Sequence, residues 1–118
     1  MSSAVNAVAV FVALQHLGFF VLESFLWTKP AGLKVFRNTP ERAETTRVLA
    51  ANQGVYNAFL AAGLLWSVVA GDGLRVPLQI FFFACVVVAG LVGGFTVSKR
   101  IIAIQAVPAA IGLVLVHL

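Results

Sequence analysis

The sequence predicts an all-α membrane protein folded as a four-transmembrane-helix bundle. Three observations predict it: the apolar content, the lengths of the apolar runs, and the confinement of charge to the gaps between them. Of 118 residues, 61% are hydrophobic and only 10% charged, with a mean hydropathy of +1.02, which lies outside the range of soluble domains. Four runs, at about 4–27, 48–70 (within a helix expected over 40–70), 76–95 and 101–118, approach or exceed the roughly 20 residues that a helix needs to cross a bilayer. Helices are favoured over strands because an open strand would leave backbone groups unpaired in lipid. The whole chain, 1–118, is expected to form one domain.

The first run is expected to be a helix kept in the mature protein. It lacks a basic n-region and carries His16 and Glu23, so it reads as a helix rather than a cleaved signal. It stops near Trp27, because Pro30 and Gly32 follow in TKPAGLKVFRNTPER and the residue before a proline avoids helical geometry. Leu33, Val35 and Phe36 alternate there with Lys34 and Arg37, the pattern of a short elbow lying along the headgroups.

The second helix starts at Thr39-Pro40-Glu41, where a capping side chain, a preset first turn and an acid at the positive end of the dipole coincide. Glu41, Arg42, Glu44 and Arg47 make a solvated collar before the apolar part begins at Val48. Within that part Asn52 and Tyr56, and Gln53 and Asn57, are i,i+4 neighbours. Beside this polar arc runs a row of small residues, Ala50, Gly54, Ala58 and Ala62, which lets another helix approach closely.

The third helix follows the turn Gly71-Asp72-Gly73, with Arg75 and Pro77 at its start and a GxxxG spacing at Gly90 and Gly94. That spacing suits close packing either within one chain or between two copies, so a homo-oligomer through small-residue faces is one expectation. Lys99 and Arg100 lead into the fourth helix, which holds Gln105 and Pro108 and ends near His117. The single cysteine, Cys85, lies in an apolar run and leaves no disulfide within the chain.

Charge sets the expected topology. Lys29, Lys34, Arg37, Arg42, Arg47, Lys99 and Arg100 fall on one side and Arg75 alone on the other, so the basic loops are expected in the cytoplasm and both termini outside it. The same confinement to loops argues against a nucleic-acid partner, despite a net charge of +4 and a pI near 10.

Polar residues inside apolar helices are costly and mark sites. At about 100° per residue, the seven positions from His16 to Glu23 bring both onto one face, with Phe20 between them and Trp27 extending the stripe. Counted at about 1.5 Å per residue, Glu23, Asn52, Gln53, Tyr56, Asn57 and Gln105 all fall in the cytoplasmic half of the bilayer, with His16 the deepest. The expected site therefore has His16 and Glu23 as proton-moving groups. Trp27, Asn52, Gln53, Tyr56, Asn57 and Gln105 would hold the substrate. One histidine and one distant carboxylate are a poor ligand set, so no metal and no cofactor is expected.

With HLxFxxLExFLW, TKPAGLKVF, LAANQGVYNAFLAAGL and IIAIQAVPA in view, nearly the whole chain resembles a family of small bacterial integral-membrane proteins, number 1304 among the domains of unknown function. Some members carry an epimerase label, although this sequence holds no nucleotide-binding or sugar-binding signature. The resemblance implies four helices in a bacterial inner membrane, with shared polar positions at His16, Glu23, Asn52, Gln53, Tyr56, Asn57 and Gln105. The first functional expectation is a site for an apolar or amphipathic small molecule entering from the bilayer, with proton-transfer isomerisation or epimerisation as its chemistry. Two others compete with it: a proton-coupled carrier of small-multidrug-transporter size, and a noncatalytic subunit whose polar groups only fix helix packing.

Overall fold

The computed structural model describes residues 2–118, and every regular element among them is helical. In order these are α1 (Ser2–Ser24), α2 (Pro30–Phe36), α3 (Pro40–Thr45), α4 (Arg47–Val69), α5 (Asp72–Thr96), a π-helical segment (Ile102–Ala106) and α6 (Val107–Val116). Three helices, α1, α4 and α5, are long and apolar enough to cross a membrane. The fourth apolar stretch, Ile102–Val116, is shorter, with a length of about 22 Å at helical rise.

The helix boundaries differ from those expected at three places, each for a local reason. First, α1 stops at Ser24, three residues before Trp27, where the N–H groups of both Phe25 and Leu26 donate to the Val21 carbonyl at 3.0 and 3.1 Å. Second, the helix expected over 40–70 is broken at Thr46, whose φ of −104° and ψ of 8° depart from helical values. The Thr46 hydroxyl there donates to the Arg42 carbonyl at 2.7 Å, sharing it with the Thr46 N–H at 3.0 Å, the kind of back-bond that bends helices. Third, α5 starts at Asp72 rather than Val76, so Pro77 lies inside it. The proline removes only the donor to Gly73, which is exposed and can be solvated.

By its contacts the chain divides into two compact units, Gln15–Phe59 and the remainder. In Gln15–Phe59 the end of α1 turns back through α2. Lys29 is extended, with φ −87° and ψ 162°, as a residue before proline must be. Gly32 then packs so closely that a Cβ would overlap the Leu26 carbonyl and lie 3.1 Å from Trp27 Cα. α2 ends on Arg37 in the left-handed region at φ 51°, while Asn38 N–H reaches back to the Leu33 carbonyl at 2.9 Å, closing the helix end. Thr39 caps α3 by accepting from Arg42 N–H at 3.2 Å.

In the other unit α5 packs on the π segment and α6. A Cβ on Gly90 would stand 2.7–2.9 Å from the backbone N, Cα and Cβ of Ala106, and one on Gly94 would overlap Ile102. The GxxxG pair is thus spent within the chain. The π segment has its own cause: Pro108 offers no N–H to Ile104, and just before it Val107 N–H donates to the Ile102 carbonyl five residues back. Val5, Ala9, Val12, Leu64, Phe83, Val86 and Ala109 fill the core of this unit.

Candidate functional site

Seven of the eight expected site residues fall in the Gln15–Phe59 unit; Gln105 belongs to the other, where it is half-buried on the π segment. His16 is completely buried on α1, its ring edge-on to Phe19 at a centroid distance of 5.3 Å. Two turns further along the same face, Glu23 Oε1 accepts a hydrogen bond of 2.5 Å from Asn57 Nδ2, and Asn57 is itself buried. This bond joins α1 to α4. Next to it Ser24 Oγ donates to the Ala51 carbonyl at 2.9 Å.

Gly54 makes the contact possible. A Cβ at that position would overlap Ser24 Oγ and lie 3.1 Å from the Phe20 carbonyl and 3.2 Å from Glu23 Cβ. Sequence alone places Gly54 in a close-contact row, and the structure shows α1 as its partner. With this approach the backbone of α4 comes near enough for the short Asn57 side chain to reach the carboxylate.

Trp27 marks the end of the same stripe. Its Nε1 donates to Thr46 Oγ1 at 3.1 Å and its ring packs on Phe36 at 5.0 Å between centroids. Indole groups favour the membrane interface, where one edge is apolar and the other polar.

The NQGVYN block does not converge as a whole on Glu23. Asn57 does, whereas Asn52, Gln53 and Tyr56 are exposed. Helix geometry explains the division: with Gly54 toward α1, Asn57 lies about 60° to one side, Gln53 about 100° to the same side, and both Asn52 and Tyr56 about 160° away. Gln53 thus flanks Asn57 at the edge of the buried face, and Asn52 and Tyr56 occupy the outward one.

Sequence reasoning also passed over a second polar cluster. Gln79 on α5 is completely buried, with its Nε2 donating to Asn6 Oδ1 at 2.9 Å and its Oε1 accepting from Arg75 Nη1 at 3.3 Å. Arg75 in turn lies 3.6 Å from Asp72. The signal for it was the i,i+4 spacing of Arg75 and Gln79 at the start of an otherwise apolar helix.

Among the described residues no group of three or more His, Cys, Asp or Glu is placed to hold a metal ion. Comparison with curated proteins and with solved structures finds no match. A family model does match, over residues 10–117, a stretch holding every residue of the polar stripe and of the NQGVYN block. The chain belongs to the family described as protein of unknown function (DUF1304).

Proposed function

We propose that the Gln15–Phe59 unit binds an apolar or amphipathic small molecule drawn from the cytoplasmic half of the bilayer and moves a proton on it. The observation that carries this reading is the bond from buried Asn57 to Glu23. A carboxyl group is kept inside a spanning helix and held in one orientation by a neighbouring helix, although such groups are costly there. His16, buried on the same face, supplies the second proton-moving group.

Glu23 would take a proton from carbon and His16 would return one at a second carbon, so the product is an isomer and no co-reactant is consumed. The two groups are about 10 Å apart along the helix, and the bound molecule, or a water beside it, has to bridge that gap. Gln53 flanks Asn57 on the exposed edge and is the group an incoming molecule meets first. Trp27 and Phe36 form the rim at the membrane boundary.

The test is mass spectrometry of small molecules that copurify with the protein, compared across wild type, His16→Ala and Glu23→Gln. Glutamine at 23 can still accept from Asn57, so folding is expected to survive while the bound molecule, or its conversion when supplied, is lost. Lowered thermal stability in both variants with an unchanged ligand profile would mean that the polar groups only hold the helices together.

A further inference from the structure

α1, long and apolar enough to cross a membrane, ends at Ser24, and the chain then turns into the elbow built on α2. What this elbow exposes is of two kinds. Phe25 and Val35 are 64% and 49% exposed, and Lys34 and Arg37 are exposed in the same stretch. Among the described residues the ion pairs are Arg47–Glu44 and Arg75–Asp72, so neither of these two cations has a carboxylate within reach. Arg37 carries a further cost, because its φ of 51° lies in the left-handed region. Glycine enters that region freely and is the usual residue for the turn past a helix end, whereas a side chain is disfavoured there. A guanidinium is thus kept where the backbone favours glycine, and its counter-charge has to come from outside the chain.

We propose that Lys34 and Arg37 bind the phosphate of an anionic membrane phospholipid, in the leaflet that the elbow faces. The two positions are three residues apart, about 60° around the helix and one turn along it, so both side chains can reach one headgroup. Arg37 offers paired N–H donors to phosphate oxygens, and Lys34 adds a point charge. The mixture of exposed groups selects this occupant. Water alone would leave Phe25 and Val35 wet, and hydrocarbon would strip Lys34 and Arg37 of hydration, whereas the headgroup boundary of a bilayer accommodates both. A free anion would neutralise the cations and leave the apolar side chains uncovered. The site makes no use of His16, Glu23 or Asn57, so it stands whether or not those groups move a proton.

The experiment reconstitutes the full chain in vesicles of equal phosphatidylglycerol and phosphatidylcholine and reads the retained lipid by native mass spectrometry. The wild type is expected to retain the anionic lipid in preference to the zwitterionic one. Arg37→Gly is expected to cut that preference roughly fivefold while raising the thermal midpoint, since glycine removes the cost of the left-handed backbone. Arg37→Asn, which also tolerates that region, is expected to lose the preference equally, and Lys34→Gln to lose a similar share. Lys99→Gln, an exposed cation of the other basic loop, is expected to leave it unchanged. A wild type without preference overturns the proposal, as does an Arg37→Gly chain that keeps the preference in full. An equal loss in Lys99→Gln overturns it too, because the attraction is then a diffuse property of the charged surface. So does displacement of the lipid by inorganic phosphate, which would make the elbow a site for free anions.

Discussion

Gly54→Ala tests whether the close approach of α1 and α4 holds the Glu23–Asn57 pair in place. The added methyl would overlap Ser24 Oγ and stand only 3.1 Å from the Phe20 carbonyl and 3.2 Å from Glu23 Cβ. The hydroxyl can rotate away, but it then gives up its 2.9 Å bond to the Ala51 carbonyl, a loss of about 1 kcal/mol. The Phe20 carbonyl belongs to a helical backbone and cannot rotate, so α1 and α4 must part slightly, at about 1–3 kcal/mol for an overpacked contact. Alanine returns at most about 1 kcal/mol in helix propensity. The net expectation is a destabilisation of about 2 kcal/mol, read as a lowered thermal midpoint in detergent micelles. Ser24→Ala relieves part of the clash in advance, so Gly54→Ala/Ser24→Ala is expected to be more stable than the sum of the single effects by about 1 kcal/mol. Wild-type stability for Gly54→Ala, or strict additivity in the cycle, would refute the contact as described.

Asn6→Ala is expected to destabilise by about 1–3 kcal/mol, because it leaves the buried Nε2 of Gln79 without its acceptor; adding Gln79→Leu should recover part of that loss in the same melting assay. Trp27→Phe keeps a ring against Phe36 and loses only the bond to Thr46, so it should cost about 1 kcal/mol or less, while Trp27→Ala should cost about 3 kcal/mol. For orientation, single cysteines in a Cys85→Ala background should divide cleanly: Arg37→Cys reacts with an impermeant thiol reagent only after the membrane is opened, and Asp72→Cys, fully exposed at the turn, reacts in intact cells. The reverse labelling pattern would invert the assignment of cytoplasmic and external loops.

The helices were legible because lipid demands long uninterrupted apolar runs, and the proline and glycine punctuation is unambiguous. The break at Thr46 was not, since PERAETTRVLA has no helix breaker, and Thr45 and Thr46 both bond back to the carbonyl four residues before them while the helix breaks only at the second. The site was half legible. Ala50, Gly54, Ala58 and Ala62 form an i+4 row, which drifts about 40° per step around a helix. The buried residues of α4 are Ala50, Gly54, Asn57, Ala61, Gly63, Leu64 and Ser67, which follow steps of four and three from Ala50 to Leu64, as a packed face does. The row therefore named the contact correctly at Gly54 and lost it by Ala62, which is exposed. Asn57 is one step off the row, and that step turned it inward while Asn52 and Tyr56 turned out. Nothing in the spacing of NQGVYN distinguishes those outcomes, because polar groups lie on both faces and only the partner helix decides between them.

The glycine contacts at Gly54 and Gly90 differ in how they resist change. At Gly54 the first obstacle to a side chain is the rotatable Ser24 hydroxyl. At Gly90 it is Ala106, whose backbone N and Cα would lie at 2.7 and 2.9 Å from the new atom, and no rotamer change moves those. Ala106 ends the π segment, a widened turn required by the missing donor of Pro108, so the segment has little freedom to retreat. A second copy could reach Gly90 only by displacing the chain's own fourth apolar stretch. The GxxxG motif, which by spacing alone would serve either purpose, is closed to a partner by this arrangement.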